Sequence, residues 1–190
     1  MINKYAAEYP IFVSAGNEGD SRVSIVKTLT ASDASVKTFP AANTPGSAYS
    51  GIIDIWGKDA SAFDTKFVIY NTTTNSIEYQ YSINAPGQAT VTTSNYTAPE
   101  YIHDTKFDQA FSSSFVMVSA SDNKQTNNRF NCQIQYSLRN NTLNKGTLIL
   151  GIIVDGKAGQ TIYLTNNSQS ATLSGLQVAG WMNGTPDLSI

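Results

Sequence analysis

Strict two-residue alternation, sustained over long runs and met twice, is the feature that most limits how this chain can fold. In Ser76-Ile77-Glu78-Tyr79-Gln80-Tyr81-Ser82-Ile83, the large apolar side chains fall on every second position. From 130 to 138, Phe130, Cys132, Ile134, Tyr136 and Leu138 alternate with Asn131, Gln133, Gln135 and Ser137. A strand sends successive side chains to opposite faces, whereas a helix repeats its apolar face every three to four residues. Both runs therefore read as half-buried strands. The second one places the only cysteine, Cys132, among core residues, as a buried thiol and neither a nucleophile nor a ligand.

Shorter segments of the same kind follow one another from Val23 onward, at 25–30, 50–56, 66–70, 89–93, 115–119, 147–154, 161–164, 171–173 and 177–181. Between them stand turn-forming pairs and clusters: Asn43-Thr44-Pro45-Gly46, Ala85-Pro86-Gly87, Asp122-Asn123, Asn140-Asn141 and Asp155-Gly156. No stretch after Asp20 carries a helical period. Many short strands at regular spacing predict two packed antiparallel sheets, and their number favours an all-β, jelly-roll-like sandwich over an immunoglobulin-like one.

Composition narrows the function classes. Charged residues are only 14%, net charge is −2 and the sequence pI is 5.2, with no Lys/Arg cluster, which argues against nucleic acid as a partner. The longest apolar run, Leu148-Ile149-Leu150-Gly151-Ile152-Ile153-Val154, is too short for a membrane span. The N-terminus lacks the basic and apolar regions of a signal peptide. A polar but weakly charged surface suits a secreted or cell-surface bacterial protein. Asn-X-Ser/Thr triplets at Asn71, Asn95, Asn141, Asn166 and Asn183 are assigned no role in so Asn-rich a chain.

The first twenty residues differ from the rest. Residues 2–9 have a helix-friendly composition, Pro10 would end a helix, and Ile11-Phe12-Val13 is a continuous apolar run fit for a strand buried on both faces. That run stops in Ser14-Ala15-Gly16-Asn17-Glu18-Gly19. Gly16 would let a substrate backbone pass close, and Gly19 would let the chain turn away. A helix, a buried strand and a loop at its C-terminal edge is the α/β arrangement in which sites usually sit.

This segment resembles the oxyanion-hole segment of the subtilase family of subtilisin-like serine proteases. The resemblance implies that Asn17 donates its carboxamide to the developing oxyanion, with Ser14, Ala15, Gly16 and Glu18 lining the substrate-binding pocket. A looser resemblance extends it to germination-type subtilases of clostridia and their relatives in gut Bacteroidetes. In these a jelly roll interrupts the catalytic domain between the oxyanion asparagine and the catalytic serine. Ile52-Ile53-Asp54-Ile55-Trp56 resembles a strand of that insert, and Asp187-Leu188-Ser189-Ile190 its return to the protease. The paired histidines of that branch are absent after the Gly-Asn-Glu-Gly turn.

The family's Asp-Thr-Gly, His-Gly-Thr and Gly-Thr-Ser motifs are also absent. The only histidine, His103, with Asp104 and Ser112 to Ser114 nearby, reads as a solvated loop residue, since triads are defined by geometry and not by adjacency. The expectation is a protease fragment, inactive alone: residues 1–20 from the catalytic domain and residues 21–190 an inserted jelly roll. Its partners would be the remainder of the catalytic domain and, in the intact enzyme, a peptide substrate. No cofactor is expected. Glu18, Asp20 and Asp33 lack the ligand spacing of a Ca²⁺ site, so no metal is expected either.

Two rival readings remain. A secreted β-sandwich could bind glycans or a surface protein through Trp56, Trp181 and the tyrosines. Against this, Trp56 ends an Ile-rich strand and Trp181 follows Leu176 and Val178, spacings that favour core packing for both. A purely structural adhesin-type sandwich would make Ile11 to Val13 simply its first strand.

Overall fold

The computed structural model describes residues 24–44, 47–83, 87–92, 102–103, 115–121, 129–138 and 148–174. These residues form strands and, among the described residues, no helix. In chain order the strands are β1 (Ser24–Thr28), β2 (Ser35–Ala42), β3 (Tyr49–Gly57), β4 (Asp64–Asn71), β5 (Ser76–Ile83) and β6 (Gly87–Thr92). They continue with β7 (Ile102–His103), β8 (Phe115–Ser121), β9 (Asn131–Leu138), β10 (Leu148–Asp155), β11 (Thr161–Asn167) and β12 (Ala171–Ser174).

Two sheets result, seven-stranded in the order β1-β11-β3-β9-β8-β6-β7 and five-stranded in the order β12-β2-β10-β4-β5. All neighbours are antiparallel except β6 and β7, which pair parallel at Val91–Ile102 and Thr92–His103. The pairing is nested around one hairpin. β4 pairs with β5, β3 with β9, β2 with β10 and β1 with β11. Each strand before the hairpin thus meets its counterpart after it, while β6, β7 and β8 widen one sheet. The all-β, two-sheet sandwich expected from the alternating segments is the observed architecture.

The core fills the space between the sheets. From the seven-stranded sheet come Ile25, Ile53, Ile55, Cys132, Ile134, Tyr136, Ile162 and Leu164. From the five-stranded sheet come Val36, Phe67, Ile69, Leu150, Ile152, Val154 and Leu173. Each is buried, and a side chain of this size contributes about 1.5–3 kcal/mol on leaving water. Phe63 and Phe130 meet edge to face at 4.6 Å and 83°, closing one end of the core. Tyr49 and Tyr136 pack in the same manner at 6.1 Å.

Alternation succeeds best at β9, whose buried and half-exposed residues follow each other without a break. At β5 it fails by one residue. Tyr79 pairs with Ile69 but Ile77 pairs with Tyr70, so Glu78 is an extra residue in a β-bulge. The bulge moves Ile77 off the face of Tyr79 and Tyr81, and it stands 44% exposed. A run that looks uniform in sequence therefore changes face in space.

Two strands went unforeseen. β2 contains Pro40, whose missing N–H argues against a central strand. Its register with β10 ends at Thr38, and the stretch from Phe39 to Ala42 pairs with β12 alone, so the proline sits where one side of the strand needs no donor. The other is β7, which takes His103 out of the loop assigned to it and into the edge of the larger sheet. Segment 177–181 lies outside the described residues.

The outer side of the five-stranded sheet is not polar throughout. Val68, Tyr70 and Ile153 are buried there with Ile149 beside them, a second cluster separate from the main core.

Candidate functional site

Asn17, Ser14, Ala15, Gly16 and Glu18 lie outside the described residues, as do Asp20, Asp104, Ser112 to Ser114 and Trp181. Asp33 is described. Its carboxylate pairs with Lys27 Nζ at 2.6 Å while its backbone bridges to Thr30. Among the described residues, no group of three or more His, Cys, Asp or Glu side chains gathers. No helix among them is long and apolar enough to cross a membrane.

Trp56 is where the structure corrects the sequence reading. Ile53 and Ile55 are fully buried, so Trp56, one step further along β3, turns to the opposite, outer face. It is half-buried there and pairs directly with Tyr163 of β11 on one side and Asn131 of β9 on the other. The Ile-rich neighbourhood that favoured core packing belongs to the other side of the same strand.

Arg129 completes this corner. Its guanidinium carbon lies 5.5 Å from the Trp56 ring centre and 5.3 Å from that of Tyr163, and its Nε donates to Gly57 O at 2.6 Å. The hydrogen bond and the two cation–π contacts hold one cation over two rings, which fixes the rings in place. Together with the exposed Lys58 these residues line an open cleft of about 580 Å³. Asn131 Oδ1, in the same row, and Thr65 Oγ1, in the core, are the buried side-chain oxygens without a hydrogen-bond partner among the described residues.

A second groove, of about 720 Å³, opens at the far end of the same strands over Ile52, Gln135, Ser137, Asn167 and Gln169. Its wall is fixed from below. Ser168 Oγ donates to Ser50 O at 2.6 Å, and Ser170 Oγ donates to the same oxygen at 3.2 Å. Gly51 is required by close approach: a Cβ there would stand 2.7 Å from Tyr136 Oη and 2.8 Å from Ser168 Cβ.

Beneath the groove, Tyr136 Oη donates to Asn166 Oδ1 at 3.0 Å, and Asn166 Nδ2 donates to Ala171 O at 3.0 Å. The chain Tyr136–Asn166–Ala171 runs from β9 through β11 to β12 and so ties one sheet to the other. Burial raises the Tyr136 phenol above its ordinary value, with Ser168 and Asn166 pulling it partly back. Asn166 is 2% exposed, so its Asn-X-Ser triplet is turned inward and committed to this network.

Cys132 is buried as expected, and burial pushes its thiol up to about 11, with Thr65 across the core lowering it slightly. Thr65 Oγ1 has no full hydrogen bond, so its contact with the thiol is a weak sulfur interaction. The thiol is therefore a packing group.

Sequence reasoning did not single out Arg129, Lys58 or Tyr163. The signal for Tyr163 was present, since it stands between Ile162 and Leu164, both of which are buried. Arg129 comes from sequence that carries no period. Compared with known proteins, the chain matches no family model, no curated protein and no solved structure.

Proposed function

We propose that this chain is the accessory β-sandwich, with its leading oxyanion segment, of a secreted or cell-surface subtilisin-like serine endopeptidase. Asn17 supplies the oxyanion donor of the intact enzyme, and Ser14, Ala15, Gly16 and Glu18 border the peptide substrate. The Asp, His and Ser of the triad come from other parts of the protease, because their motifs are missing from this sequence.

The observation that carries the reading is the order of the two parts. The Ser-Ala-Gly-Asn-Glu-Gly sequence ends at Gly19, and β1 opens at Ser24 with a double-sheet sandwich following. The nested pairing around the β4–β5 hairpin supports a jelly roll, whose sheets arise when one long antiparallel ribbon wraps on itself. A closed sandwich of this kind has its own core and can be carried as an insertion without disturbing its host.

In mechanism, an amide N–H aimed at the position of the oxyanion lowers the barrier because the negative charge exists in the transition state and not in the ground state. The sandwich plays no chemical part in that step. Labelling of the full-length protein with a fluorophosphonate tests the reading. Modification of a serine C-terminal to this chain supports it; a protein that takes no label and cleaves no peptide overturns it.

A further inference from the structure

The outer face of the seven-stranded sheet holds more than one open groove, and strand register shows that the two belong to a single surface. Trp56 pairs with Tyr163 and Asn131, Asp54 with Thr165 and Gln133, Ile52 with Asn167 and Gln135, and Ser50 with Ser137. Cross-strand partners share a face, as do residues two apart along a strand. The aromatic cleft at Trp56 and the polar groove at Ser50 are therefore the two ends of one track along β3. Six residues separate them, about 20 Å at strand rise.

The chemistry of this track is unusual for a surface. Hydroxyls and carboxamides supply most of its polar groups, and its cations, Arg129 and Lys58, stand at the aromatic end. The one carboxylate on it, Asp54, already accepts from Gln133 Nε2 at 2.8 Å. Its apolar parts are Ile52 in the middle and two aromatic rings at one end. The supports are rigid: Arg129 holds the rings, and Ser168 and Ser170 fix the groove wall through Ser50 O. Such preorganisation removes much of the ordering cost of binding.

We propose that this track binds an uncharged oligosaccharide, with a sugar ring packed against the corner formed by Trp56, Tyr163 and Arg129 and hydroxyls hydrogen-bonded to Gln135 and Asn167. A sugar chain pairs apolar ring faces with dense hydroxyl donors and acceptors, and the track offers the complement of both. Other partners fit worse. Nucleic acid would need a basic stripe, and a permanent protein interface would be more apolar and poorer in serine. The inference concerns residues 24–174 alone and stands whether or not the chain serves a protease.

The test is calorimetric titration of the full chain with neutral gluco-, manno-, xylo- and galacto-oligosaccharides, and with a uronic-acid oligosaccharide for comparison. The expected result is saturable binding to at least one neutral chain, weakened about tenfold or more in Trp56→Ala and measurably in Gln135→Ala. Ile77→Ala, on the other sheet, leaves it unchanged. Because Gln135 is half-exposed, its truncation tests the track even if the tryptophan variant is poorly folded. Absence of binding to every neutral chain, binding confined to the acidic one, or affinity indifferent to both track substitutions overturns the proposal.

Discussion

Removing a single oxygen at Tyr136 should weaken the whole sandwich. The Tyr136 hydroxyl is the donor to Asn166 Oδ1, and both residues are almost fully buried, at 1% and 2% exposure. Tyr136→Phe keeps the ring, its packing on Tyr49 and its place in β9, but leaves the buried Asn166 oxygen without that donor. An orphaned buried acceptor costs about 1–3 kcal/mol. For a chain of this size each kcal/mol lowers the unfolding midpoint by roughly 2–4 °C. Thermal and urea unfolding of the variant should show that loss with an unchanged urea slope.

Asn166→Ala supplies the control. Once Asn166 is gone, Tyr136→Phe has no acceptor left to orphan, so the two substitutions should be clearly non-additive, by at least about 0.5 kcal/mol. Additive effects, or a phenylalanine variant as stable as the parent, would refute the claim that this bond supports the Asn166 link between the sheets.

Other outcomes follow from the same geometry. Gly51→Ala should destabilise the fold by about 1–3 kcal/mol in denaturant titration, because its new methyl meets Tyr136 Oη and Ser168 Cβ inside van der Waals contact. Cys132 should resist thiol reagents in the native protein and react at once in denaturant, as followed by colorimetric titration. Alkali should unfold the protein through groups raised by burial. Cys132, raised from 9.0 to about 11, contributes stability that is complete below pH 9 and shrinks by about 1.4 kcal/mol per pH unit up to about 11. Tyr49 and Tyr136 are also raised, so they add to the loss above pH 10, and urea midpoints across pH 8–11 would record it.

How much of this was legible in the sequence depended on whether one face of a strand is wet. β9 and β3 have one face in the core and one outside, so their alternation or Ile-rich pattern stood out. β4 and β10 are buried on both sides near Val68 and Ile153, and they appeared as continuous apolar runs without a face. β2 was hidden by Pro40, whose fitness depends on a change of partner that only the fold discloses. The aromatic corner was misjudged for a related reason. Neighbouring isoleucines made Trp56 look internal, although adjacent residues of a strand face opposite ways. Arg129 reaches it from outside any strand, so no local pattern announced it. The segment around Asn17 was read from its residues and their resemblance, and it lies outside the described residues.

The most direct test of the functional account is the turnover of the proposed full-length protease carrying Asn17→Ala. With a peptide substrate, kcat should fall by roughly 10²–10³ while KM stays near its parent value, the magnitude known for the matching subtilisin asparagine. An enzyme that turns over at the parent rate without the Asn17 carboxamide would contradict the account at its root.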